Sequence, residues 1–106
     1  VIDSRTINEA VKFVLDAAPP GSELILFGSY ANGSPSDDSD LDFLVVEPVV
    51  TRRREEMVRL RQAVRPLGIP VDLLVVSRAV FDAWKDLPNN VIYEAAQHGK
   101  VFTHAA

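Results

Sequence analysis

Three short apolar runs constrain this chain most: Glu-Leu-Ile-Leu-Phe-Gly at 23–28, Leu-Asp-Phe-Leu-Val-Val at 41–46 and Val-Asp-Leu-Leu-Val-Val at 71–76. Each is strand length, nearly continuous in aliphatic residues, and bounded by turn formers, which predicts buried strands. Helical patterns separate them. Residues 4–18 place Ile7, Ala10, Val11, Val14 and Leu15 on one face, with Ser4 or Thr6 as candidate cap and Pro19-Pro20-Gly21 as the stop. Residues 51–65 form a charged amphipathic pattern with Met57, Leu60, Val64 and Leu67 along one side. Ser77 opens a short helix with Val80, Phe81 and Trp84. Asn89 or Asn90 opens a last one through Gln97, and Lys100 to Thr103 adds a short strand. The fold class is therefore α/β (α+β), a short mixed sheet flanked by helices and covered mainly on one side. With 106 residues and no linker or repeat, residues 1–106 are expected to form one domain.

Composition narrows the chemistry. The sequence has no cysteine, so thiolate ligands and a Cys nucleophile are excluded within it. A formal charge of −4 argues against nucleic acid as a direct partner. No apolar run approaches the ~20 residues of a membrane span. The opening residues lack a signal-peptide pattern. A cytoplasmic location with no membrane partner is the expectation.

Polar residues at the strand ends carry the function. Asp40 and Asp42 stand two apart at the entrance to a strand, so both carboxylates share a face, while Leu41 and Phe43 take the other. Adjacent acids repel unless a cation sits between them, and Mg²⁺ prefers such oxygen ligands. Asp72 heads the third run. If that strand lies beside the second, three carboxylates converge and can hold two metals. Gly28-Ser29 ends the first run, where a glycine admits close approach of a ligand and the serine offers a hydroxyl and an N–H to a phosphate. Each feature alone is as well explained by an ordinary turn or a strand-end acid. Asp37 and Asp38 are read as such loop acids. Gly-Ser, ten residues, then Asp-x-Asp entering a strand is far more specific.

Gly28-Ser29-Tyr30-Ala31-Asn32-Gly33 through Ser39-Asp40-Leu41-Asp42, with Asp72 later, resembles the signature of the DNA polymerase β-like nucleotidyltransferase superfamily. The small prokaryotic members, the minimal nucleotidyltransferases, are the nearest match. The opening helix and Ile92-Tyr93-Glu94-Ala95-Ala96…Gly99-Lys100-Val101-Phe102 support it. The resemblance implies transfer of a nucleoside monophosphate, AMP from ATP, to an acceptor hydroxyl. It implies two Mg²⁺ (or Mn²⁺) ions held by Asp40, Asp42 and Asp72, with Asp72 beside the acceptor, and Gly28 and Ser29 on the β- and γ-phosphates. It also implies an antitoxin paired with a HEPN-type toxin and modifying a tyrosine on it. An aminoglycoside-type enzyme, disfavoured by the lack of an acceptor domain, and an antitoxin acting by binding alone are the alternatives.

One position departs from the pattern. Asn32 stands where relatives commonly have Arg, and an amide cannot supply that charge to phosphate. Lys12 or Arg52, Arg53 and Arg54 are candidates to compensate, although a solvated helix start is the favoured reading of the arginine run. Tyr30 either stacks on a base or closes the loop. His98 and His104 read as helix-end caps, and Trp84 with Phe81 as core. Trp84, Val91 and Ile92 are weaker candidates for a partner surface.

Overall fold

The computed structural model describes residues 1–104. Asp3 opens helix α1 (Ser4–Ala17), its carboxylate accepting from the Thr6 amide at 2.8 Å. The cap thus lies just before the expected Ser4 or Thr6, where a carboxylate also complements the positive end of the helix. Strand β1 (Glu23–Phe27) follows, then one helical turn, α2 (Ser29–Asn32), and strand β2 (Leu41–Glu47). Helix α3 (Arg53–Val64) tightens into a 3-10 turn over Arg65–Leu67, and Gly68 leaves it in the left-handed region ahead of β3 (Val71–Ser77). Ser77 caps α4 (Arg78–Trp84) by accepting from the Val80 amide at 3.2 Å. Asn90 caps α5 (Val91–His98) through the Tyr93 amide at 2.9 Å, and β4 (Lys100–Thr103) closes the sheet.

The strand order is β3-β2-β1-β4. β1 runs antiparallel to β2 and β4, whereas β2 and β3 are parallel and joined through α3. The two strands of most continuous apolar character therefore form the parallel pair, as burial on both faces requires.

The sheet is covered on both sides, unevenly. On one face Val11, Val14 and Leu15 of α1 and Leu60 and Val64 of α3 pack on Leu24, Leu26, Phe43, Val45, Leu73 and Val75. On the other, Phe81 of α4 and Ile92 and Ala95 of α5 cover Ile25, Leu44, Val46 and Val76. The second layer exceeds the expectation of a mainly one-sided sheet. Its helices are two turns long and present only one to two core residues each, too few to register as a face in the sequence. Gly99 makes this layer fit: a Cβ there would collide with Ile25 Cγ2 and lie 3.0 Å from the Leu26 carbonyl oxygen.

Strand β3 is an edge. Its outward carbonyls are met by α3, with Arg53 Nε donating to Val75 O at 2.6 Å and an Arg61 guanidinium nitrogen to Leu73 O at 3.3 Å. Among the described residues no helix is long and apolar enough to cross a membrane.

Candidate active site

The end of β1 and the beginnings of β2 and β3 meet at one end of the sheet. The register sets Asp42 directly opposite Phe27 on β1 and Asp72 on β3. Paired residues in neighbouring strands share a face, so Asp42 and Asp72 stand side by side. Asp40, two residues earlier, projects the same way as the strand begins. Leu41 and Phe43 are fully buried on the opposite face. The alternation of buried and outward residues holds from Leu41 to Phe43, and Asp72 lies beside Asp42 because β2 and β3 are neighbours.

Asp42 is half-buried, while Asp40 and Asp72 are exposed. The ion pairs among the described residues engage other groups, so these three carboxylates have no cationic partner there. Burial pushes the Asp42 carboxyl above its ordinary range, and the negative charges of Asp72 and Asp40 push it the same way. As placed, no three acidic or histidine side chains among the described residues close around a common point. The aspartates form an open array rather than a finished cage. Both observations stand together, because charges interact over longer distances than metal–ligand bonds span. An all-oxygen set with uncompensated negative charge has the donor chemistry that Mg²⁺ or Mn²⁺ takes, so the residues fit such an ion.

Gly28 has φ 76° and ψ −154°, a conformation that disfavours any residue with a Cβ. A Cβ there would collide with Asp42 Oδ2 and lie 3.1 Å from Asp42 Cγ. The space the glycine leaves is occupied first by the Asp42 carboxyl. Ser29 begins α2, whose turn is closed by the Ala31 and Asn32 amides donating to Gly28 O at 3.1 and 3.0 Å. Gly33 ends it at φ 77°. The Tyr30 hydroxyl accepts from the Ile2 amide at 2.9 Å, and the side chain packs against the core on the α1 side. Of its two readings, loop closure is the one these contacts support.

Two supports were not read from the sequence. The Ser36 amide donates to Ser39 Oγ at 2.9 Å, and the Ser39 amide to Ser36 O at 3.1 Å, which closes the turn that delivers Asp40. The Leu41 amide donates to Pro70 O at 3.0 Å and ties the starts of β2 and β3 together. A serine pair three apart in a polar loop is a hint of an ST-turn, but only in hindsight of the loop's path. Asp37 and Asp38 sit exposed on this turn.

The cations considered for the charge missing at Asn32 are mostly engaged elsewhere. Lys12 pairs with Asp16 at 2.9 Å, Arg52 with Glu55 at 3.5 Å, and Arg53 with the edge of β3. Asn32 itself is exposed. His104 Nε2 is 2.6 Å from Leu15 O and caps the end of α1, whereas His98 is exposed at the end of α5. Phe81 is core, but Trp84 is 49% exposed, which corrects the core reading for the tryptophan. Ile92 is buried and so is removed from the candidate partner surface; Val91 is exposed.

A mixed sheet with Gly-Ser at the end of one strand and aspartates entering the next two defines a nucleotide-transfer fold. The chain belongs to the nucleotidyltransferase domain family, whose profile matches residues 7–98, and is a nucleotidyltransferase. No curated protein matches it. Among solved structures it is similar to a mutant of the toxin–antitoxin MntA–HpeT, with TM-score 0.59 and 21% identity over 92% of this chain and 73% of that one. It is similar to a putative nucleotidyltransferase from Sulfolobus solfataricus, with TM-score 0.58 and 28% identity over 77% of this chain and 73% of that one. A toxin–antitoxin with AMP-PNP gives TM-score 0.57 and 21% identity over 97% of this chain and 75% of that one. At 21% identity the toxin–antitoxin likenesses speak for the fold.

Proposed function

We propose that this chain transfers AMP from ATP to an acceptor hydroxyl in a reaction needing Mg²⁺ or Mn²⁺, and that it acts as an antitoxin on a partner toxin. The observation that carries the reading is the side-by-side placement of Asp42 and Asp72, with Asp40 on the same face and Gly28-Ser29 at the adjoining strand end. Asp40, Asp42 and Asp72 would hold the metal, which supplies charge neutralisation to the triphosphate. Gly28 and Ser29 face the β- and γ-phosphates. Asp72, at the open margin, takes the proton of the acceptor hydroxyl as the acceptor oxygen attacks the α-phosphorus. The bond to pyrophosphate breaks in line. The chain itself supplies positioning and charge, which is most of what phosphoryl chemistry requires.

The partner reading draws on similarity to toxin–antitoxin structures, one of them with AMP-PNP. The net charge of −4 suits a basic partner such as an RNA-cleaving toxin of HEPN type, with a tyrosine as acceptor. A second reading, an antitoxin that masks its partner without transfer, is favoured by Asn32 and by the engagement of Lys12, Arg52 and Arg53 away from the site. Incubation with labelled ATP, Mg²⁺ and the partner separates the two. A nucleotide adduct on the partner, lost in Asp42→Asn, supports transfer. Protection of cells that survives Asn at all three aspartates, with no adduct, means masking.

A further inference from the structure

Helix α3 sorts its charges. Its two acids are taken up by arginines, Glu55 by Arg52 and Glu56 by Arg59. Arg54, Val58, Arg61 and Arg65 recur at helical spacing, which aligns them along one side of the helix. All four are exposed, and none of the three arginines has an ion pair among the described residues. Arg61 gives one terminal nitrogen to Leu73 O, which leaves most of its N–H fork unspent.

A groove of about 490 Å³ opens beside this stripe, between α3, the turn at Gly68 and the start of β3. Val58, Val64, Ile69 and Val71 supply its aliphatic surface, Arg61 and Arg65 its charge, and no acid lines it. The whole chain carries −4, so the sign of the charge reverses here. Aliphatic surface beside unpaired guanidiniums is complementary to aliphatic side chains set between carboxylates. A single-stranded nucleic acid would call for aromatic side chains to stack on, and none lines the groove. Val71 ends the groove, and Asp72 follows it on the other face of the edge strand β3.

We infer that this groove docks an acidic, aliphatic segment of the acceptor protein, its role as an acceptor site resting on the transfer proposed above. Leucine-like side chains cover Val58, Ile69 and Val71, and flanking carboxylates accept from Arg54, Arg61 and Arg65. No strand lies beyond β3, so a chain leaving the groove rounds the start of that strand and brings a neighbouring hydroxyl to Asp72. The acidic remainder of the surface draws a basic partner, and this one patch of opposite sign fixes how it sits.

The test titrates a short blocked peptide alternating Glu and Leu into isotope-labelled protein, without ATP or metal. A peptide alternating Glu and Ser and an oligouridylate are the controls. Saturable shifts are expected at the amides of Val58, Ile69 and Val71 with the Glu-Leu peptide and not with either control. Arg54→Gln with Arg65→Gln should weaken binding about tenfold. Those side chains make no hydrogen bond among the described residues, so the fold should survive their loss. On the unaltered protein, raising salt from about 0.05 M to about 0.5 M should weaken binding as well. No saturable shift, equal binding of the Glu-Ser peptide or the oligouridylate, or affinity indifferent to both salt and the arginine changes overturns the inference. Because no nucleotide is present, docking can fail while adduct formation stands, or hold while adduct formation fails.

Discussion

Gly28 makes room for Asp42. The glycine backbone takes a left-handed φ, and a side chain there would run into the carboxyl of the aspartate on the neighbouring strand. Gly28→Ala should therefore act twice. Strain at positive φ costs about 1 kcal/mol, seen as a lower melting temperature. Displacement of Asp42 should cut nucleotide transfer by roughly a hundredfold or more. If melting falls while transfer is retained, the contact is structural only.

Asp42→Asn should abolish transfer and leave the fold intact. It should also raise stability near neutral pH in the absence of divalent metal. The sign follows from the raised carboxyl: a group that holds its proton more tightly when folded loses stability as pH rises from its unfolded value through its folded one. Removing the charge removes that loss. Asp72→Asn should equally abolish transfer, whereas Asp38→Asn should leave it near normal. Equal damage from Asp38→Asn would place the site in the wrong register.

Divalent metal should raise the melting temperature, and ATP should raise it further only when metal is present. At a hundredfold excess over Kd, binding adds about 2.7 kcal/mol. Thermal shift and calorimetry with and without Mg²⁺ check this. ATP affinity indifferent to metal would count against the aspartate site.

Asn32→Arg should tighten ATP binding or speed turnover by restoring a guanidinium to the loop. An unchanged or weakened response would mean that another group already meets the phosphates.

The Glu47–Glu56 pair predicts its own pH profile. The folded Glu47 carboxyl is pushed up to about 8, chiefly by burial, so its contribution to stability falls as pH rises from about 4.5 to about 8. Glu56 is pulled down to about 2, chiefly by Arg59, and its contribution is lost as pH falls from about 4.5. Chemical denaturation across about pH 6 to 8 should show declining stability, flattened in Glu47→Gln. An equal slope in both proteins would contradict the raised Glu47 carboxyl.

Much of this molecule was legible in its sequence because short aliphatic runs have few alternatives. The strands, the caps at Ser77 and Asn90, and the nucleotidyltransferase class follow from local pattern and one specific spacing. The nearness of Asp72 to Asp42 depended on which strands neighbour one another, a long-range fact that only the sheet order supplies. The helical layer of Phe81, Ile92 and Ala95 was faint because two-turn helices show little periodicity. Trp84 misled because hydrophobicity alone does not say which side of a short helix meets the core. Glu47 follows the apolar run 41–46 with no pattern of its own, and its burial arises from α3 folding back over it.

The guanidinium groups of Arg53 and Arg61 seal one border of the sheet. A strand approaching β3 would find Leu73 and Val75 already answered and would have to evict two cations to pair there. The border beyond β4 carries no such guard among the described hydrogen bonds. Strand addition, whether by a partner or by misassembly, is thus directional in this protein: the ladder can lengthen past Lys100–Thr103, on the flank away from Asp72, while the flank beside Asp72 stays closed to it.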